Sequence, residues 1–103
     1  MTRSEKFSLG RIVATVDAVD KMSDLNSEGN HRRIAAPMIA RHHRGDWGEI
    51  CKEDAKANDD ALQDGARIVS LYKEGDQEFF VITEAEDAEG LRRSTTLMLS
   101  EDY

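Results

Sequence analysis

An α+β domain is what this sequence predicts, and three observations predict it. Two stretches, "APMIARHH" and "CKEDAKANDDALQDG", place apolar or small residues at three- and four-residue spacing and each runs into a glycine, as amphipathic helices do. Three runs, "ARIVSLY", "EFFVITE" and "STTLMLS", are rich in β-branched and aromatic residues and succeed one another with no helical stretch between them. A further β-rich run, "LGRIVATV", lies near the start. The expected architecture is a small antiparallel sheet of three or four strands with two or three helices packed on it. A chain of 103 residues is the size of one domain, so residues 1–103 are read as a single unit with residues 1–7 flexible.

Taken in order, "LGRIVATV" alternates, with Leu9, Arg11 and Val13 on one side and Ile12 and Ala14 on the other, which predicts a strand. Thr15 or Asp17 is placed to cap a short helix through "DAVDKM", whose stripe would be Val16, Val19 and Met22. "SDLNSEGN" has turn-forming residues and no periodicity, so it reads as a loop. Pro37 suits the first turn of the next helix, where its missing N–H is no loss, with Met38, Ile39 and His42 on one side and Gly45 as the stop. Arg41, His42, His43 and Arg44 then fall in the last turn, where positive charge complements the carbonyl end of the helix dipole.

The connection "GDWGEI" leads into "CKEDAKANDDALQDG". Trp47 is expected to fold into the core with its indole N–H on a nearby carbonyl, and Asp46 to cap or turn the next segment. The helix after it would bury Ala55, Ala57, Ala61 and Leu62 and stop at Gly65. "KEGDQ" is a tight turn between two strands, "AEDAEGLRR" a longer connection to the last. Phe79, Phe80, Val81 and Ile82 are apolar on both sides, as a central strand requires.

Charge separates the chain into halves. Residues 1–48 hold eight Lys/Arg against six Asp/Glu, and residues 49–103 hold six against fifteen, so a net charge of −7 divides into +2 and −9. An acidic surface repels phosphates and attracts basic partners, which argues against direct nucleic-acid binding. The only cysteine, Cys51, can form no internal disulfide. No export signal or membrane-length apolar run is visible, so the expectation is a cytoplasmic, non-membrane protein.

Several stretches carry a resemblance: "RHHRGDWGEICKEDAKANDDALQDGARIVSLY", "FFVITEA" and "RRSTTLMLSEDY", with "LGRIVAT" similar too. Together they resemble a family of short, uncharacterised bacterial proteins labelled "plasmid-related". The resemblance implies a mobile-element context and no particular activity or cofactor. The chain departs from that pattern where "EDAEGL" lengthens the link before "RRSTT" and where Ser100 stands at a position commonly held by proline, which argues against a tight hairpin there.

Two groups of residues are candidates for function. His42, His43, Asp46 and Glu49 are ligand and acid/base types, but adjacent histidines on a helix point about 100° apart, a poor spacing for one metal ion. Cys51, near the start of an acidic helix, has Glu49, Glu53 and Asp54 to oppose thiolate formation. No phosphate loop or nucleophile motif is present, and no cofactor is expected. The second group is a carboxylate surface, Glu53, Asp54, Asp59, Asp60 and Asp64 on the helix with Glu84, Glu86, Asp87 and Glu89 in the long connection, suited to a partner protein with a basic surface and able to imitate nucleic-acid phosphates. The leading expectation is a non-enzymatic binding protein, an inhibitor of a nucleic-acid-binding defence system in one version. The alternatives are a metal- or histidine-dependent enzyme and a homo-oligomeric accessory protein, the latter requiring an exposed strand edge or apolar patch.

Overall fold

A computed structural model of the chain describes residues 6–103. Its elements are β1 (Arg11–Ala14), α1 (Val16–Leu25), α2 (Arg32–His43), α3 (Lys52–Asp64), β2 (Ile68–Glu74), β3 (Gln77–Thr83) and β4 (Ser94–Leu99), ending in a 3-10 turn over Ser100–Asp102. The α+β architecture is as the sequence predicts, with one four-stranded sheet in the order β1-β4-β3-β2. The meander is antiparallel, Ile68 facing Thr83 and Phe79 facing Leu99, while β1 lies parallel to β4 with Arg11 beside Ser94 and Ala14 beside Leu97. The sheet is therefore mixed. A strand of four residues has the same alternation whichever way it runs. Its direction is set by α1, which begins at once and folds back to bury Ala18 and Met22.

The helices start and stop for identifiable reasons. The Thr15 hydroxyl accepts the Ala18 N–H at 3.2 Å and caps α1, which continues through Ser23 to Leu25 rather than giving way to a loop. Its buried stripe is Ala18 and Met22, with Leu25 partly covered; Val16 is exposed. For α2, the Asn30 side chain accepts the Arg32 N–H at 3.1 Å, so the helix begins five residues before Pro37 and the proline sits inside it. Pro37 offers no N–H to the carbonyl of Arg33, and both residues are exposed, where an unpaired carbonyl is open to solvent. At the other end Gly45, at φ +89°, closes a two-bond cap: its N–H donates to His42 O and that of Asp46 to Arg41 O.

Two clusters form the core. Ala18, Met22, Ala35 and Met38 of α1 and α2 meet Tyr72, Phe79, Val81, Leu97 and Leu99 of the sheet. Trp47, Ala61 and Ile68 form the second, with Phe7, Ile50, Ala55 and Leu62 against it. Ala57 is exposed, so the buried side of α3 turns on Asn58 and Ala61 instead. Of the residues expected to be flexible, Lys6 and Phe7 are held: Lys6 N–H donates to His43 O at 2.9 Å and the Phe7 ring packs edge-on against His42 and His43. Residues 1–5 of that expectation lie outside the described residues.

The outer edge of β2 is closed. Leu71 exchanges backbone bonds with the connection after α2, donating to Trp47 O at 3.2 Å and accepting from Glu49 N–H at 2.7 Å. Beside it, the Asn58 amide donates to Val69 O at 2.8 Å and accepts the Val69 N–H at 3.1 Å, serving as a one-residue strand. An unpaired β edge invites association, and this one is occupied from within.

Gly48 makes the closure possible. At φ +77° it brings its backbone so near β2 that a Cβ would stand 2.0 Å from Leu71 O and 2.7 Å from the Tyr72 ring. Gly48→Ala is expected to cost about 3 kcal/mol or more in urea unfolding, from backbone strain together with a clash against backbone. Gly90→Ala, at a similar φ but with nothing within 4 Å, should cost about 1 kcal/mol. Equal losses at the two positions would contradict the role given to the close approach.

Candidate functional site

The first candidate group does not converge. His42 is fully buried on the sheet side of α2, its Nδ1 2.6 Å from Ser70 Oγ and its Nε2 2.8 Å from Thr83 Oγ1. Thr83 Oγ1 lies 2.7 Å from Thr95 Oγ1, and Thr95 donates to the backbone carbonyl of Leu9 at 2.7 Å. That last bond fixes the direction of the two before it, since a hydroxyl has one proton to give. Thr83 donates to Thr95 and His42 Nε2–H donates to Thr83. Both ring nitrogens are occupied, and with the imidazole neutral at pH 7 it is Ser70 that donates to Nδ1. Burial, with the neighbouring His43 adding to it, pushes its pKa down to about 4.

His43 points elsewhere, its Nε2 donating to Phe7 O at 2.8 Å. Asp46 is paired with Arg41 through two bonds, 2.7 and 3.2 Å, and also accepts the Gly48 N–H. The Arg41 guanidinium holds the Asp46 carboxyl below its ordinary range, and Asp46 in turn raises Arg41. Arg41 also lies over the Tyr72 ring, whose hydroxyl donates to Asp46 O; burial lifts that phenol to about 12. Glu49 is exposed, with its backbone committed to β2. Among the described residues no cluster of three or more His, Cys, Asp or Glu is placed to hold a metal ion. Cys51 is exposed just before α3, and Thr95 is bound into the His42 network.

The carboxylate group is brought together in part. Helix α3 and the connection after β3 adjoin, because Glu86 N–H donates to Gly65 O at 2.8 Å. Buried Arg92 fastens the two: its guanidinium donates to Ala61 O, Ala66 O and Glu84 O at 2.7–3.0 Å. It thereby supplies the cation that the carbonyl end of α3 lacks, a lack made worse by Asp64. Helical geometry sets Glu53, Asp60 and Asp64 on one outward stripe, since steps of seven and four residues return close to the same angle. Asp54 on the same helix and Glu86 beside its C-terminal end are also exposed.

Other members of that group serve the fold. Asp59 accepts the Trp47 indole N–H at 3.0 Å, so the indole meets a carboxylate rather than the expected carbonyl. Asp87 organises its loop by accepting the N–H groups of Glu89 and Leu91 and is paired with Arg93; its pKa is lowered, chiefly by the Leu91 bond. Glu89 shares Arg93 at 2.9 Å. Asp60 is paired with Lys56 at 3.1 Å, but both are exposed, where such a pair is worth little.

Sequence reasoning missed Arg92, Asn58 and the hydroxyl row Ser70, Thr83, Thr95. Arg92 gave no local signal that separates it from Arg93. Asn58 interrupts the apolar side of α3, and polar residues at inward strand positions interrupt that of the sheet; such interruptions are the available sign of a buried polar pair. A comparison of the chain with protein-family models, curated proteins and solved structures finds no match.

The His42 network has two measurable outcomes. Because the folded pKa lies below the ordinary 6.5, the unfolded chain takes up the proton first, and stability falls as pH drops from about 6.5 to about 4. The loss due to His42 should be about 3 kcal/mol across that window, read from urea unfolding as a function of pH. At neutral pH, Thr83→Val should cost about 2 kcal/mol by stranding His42 Nε2–H and removing the donor to Thr95. A loss below about 0.5 kcal/mol would show the network to be dispensable.

Proposed function

We propose that this protein acts by binding another protein, without catalysis of its own, through the acidic face of α3 and the adjoining residue Glu86. The observation that carries the reading is the outward stripe Glu53, Asp60 and Asp64 joined at its end to Glu86 by the Gly65 backbone bond. The cations of the second half compensate this face incompletely. Arg92 is buried under it, Arg93 is taken by Asp87 and Glu89, and Arg67 donates to Tyr103. Lys52 and Lys56 remain on the helix itself. A partner with a basic groove gains from such a face chiefly in encounter rate and orientation.

The resemblance to plasmid-related proteins supports a narrower version, in which the protein is a cytoplasmic accessory of a bacterial mobile element that inhibits a nucleic-acid-binding defence protein by presenting carboxylates where phosphates would sit. A basic partner surface evolved for phosphates would meet a row of fixed negative charge. The choice of positions matters for the test. Asp59 and Asp87 carry the indole bond and the loop, so reversing them disturbs structure.

Affinity capture from a bacterial lysate with the wild-type chain and with the Glu53→Lys, Asp64→Lys, Glu86→Lys triple variant addresses the reading. The expected result is a partner whose capture falls at least tenfold in the variant and which double-stranded DNA displaces, with circular dichroism unchanged. Recovery of no partner, or of one indifferent to the substitutions, would sink the binding reading; indifference to DNA would remove the mimicry version.

A further inference from the structure

The opposite end of the sheet carries a second surface of different chemistry. Strand β1 is an edge, and its register shows which of its backbone groups are spare. Arg11 and Thr15 donate to Arg93 O and Leu97 O of the β4 side. In a parallel pair alternate residues face the neighbour, so the N–H and C=O of Ile12 and Ala14 point the other way, where no described strand lies. All four residues of β1 are exposed. Ile12 at 49%, Val13 at 36% and Val16 at 76% are three of the five large apolar side chains left exposed among the described residues. The β2 edge, by contrast, is closed by Asn58 and the Gly48 segment.

A groove runs along this open edge. On the helix side, Ile12, Val13, Val19 and Ile39 line a cavity of about 350 Å³ with His31 and Arg32 among its walls. Toward the start of the chain a second cavity shares Ile12 and is lined by Lys6, Phe7 and His43. In a chain with a net charge of −7, no described carboxylate lines either one. The acids of α1, Asp17, Asp20 and Asp24, border a different depression with Glu101 and Asp102.

We infer that β1 is a docking edge for an extended, acidic segment of a partner protein, which adds as a fifth strand. Its backbone would bond Ile12 and Ala14, an apolar side chain would fill the helix-side cavity, and carboxylates would face Arg32 and Lys6. Strand addition of this kind takes affinity from main-chain bonds and specificity from pockets for alternate side chains. The charge selects this occupant over a second copy of the chain, since the copy's own β1, Arg11–Ala14, carries no carboxylate to meet Lys6 or Arg32 and adds the cation of Arg11. The inference is independent of the α3 face, and the substitutions that test the two do not overlap.

The test is selection of a displayed random eight-residue peptide library on the full chain, followed by fluorescence anisotropy with the selected peptides and amide hydrogen exchange. Expected are sequences alternating apolar and acidic residues, slowed exchange of the Ile12 and Ala14 amides, and at least tenfold weaker binding to both Ala14→Pro, which removes an outward N–H, and Arg32→Glu, which reverses the rim charge on an exposed helical turn. Wild-type circular dichroism in the two variants separates lost binding from lost fold. Enrichment of basic or non-alternating peptides, no enrichment, protection elsewhere, or a peptide-free dimer abolished by Ala14→Pro would each overturn the proposal.

Discussion

The imidazole of His42 is bonded at both nitrogens inside the protein, and that constraint organises the molecule around it. One nitrogen takes the Ser70 hydroxyl of β2 and the other gives its proton to Thr83 of β3, from which the chain of donors passes to Thr95 of β4 and ends on the Leu9 carbonyl just before β1. One side chain of α2 thus sets that helix against three strands and the approach to the fourth. A buried polar row of this kind is favourable only when complete, because each group left without a partner keeps its full desolvation cost. No buried side-chain polar atom lacks a partner among the described residues. The histidine is therefore a device of register, and the same burial that keeps it neutral removes it from chemistry with solvent.

The segment after His42 depends on this placement. Gly45 turns the backbone out of α2, Asp46 returns a carboxylate to Arg41, and Trp47 enters the second core cluster with its indole on Asp59 of α3. Gly48 then lies against Leu71 and closes the β2 edge. The stretch from Arg41 to Glu49 consequently connects α2 and α3 to the sheet. Its dense mixture of histidine, arginine, aspartate and tryptophan looks like an active site when read in line, yet His42, His43, Arg41, Asp46 and Trp47 are each committed to a structural partner.

Closing one edge of the sheet leaves the other as the place where strands can be added. The two edges differ in charge, with exposed carboxylates along α3 beside β2 and a basic, apolar lining beside β1. A protein with two surfaces of opposite character can bring two partners together or hold one in a fixed orientation. In the proposed reading, mimicry of nucleic acid would need only the acidic surface, and a β1 groove that docks a strand would add a means of choosing which basic protein is met, or of recruiting another.

By itself the sequence determined the element types, the stop of α2 at Gly45 and of α3 at Gly65, the β2–β3 turn and the acidic character of the second half, because those depend on periodicity, glycine conformation and charge within a few residues. It misplaced the start of α2, since the Asn30 cap lies well before the proline taken to mark the first turn. It also misplaced the inward stripe of α1, since Val16, Val19 and Met22 and the observed Ala18, Met22 and Leu25 have equally helical spacings. Only tertiary structure decided that β1 runs parallel to β4, that Asp59 belongs to the fold rather than to the acidic surface, that Arg92 and not Arg93 is buried, and that His42 and His43 face different partners. In each of these cases the deciding atoms belong to another element of the chain, as Trp47 does for Asp59 and Ala61 for Arg92, and a local pattern carries no record of a neighbour that only folding supplies.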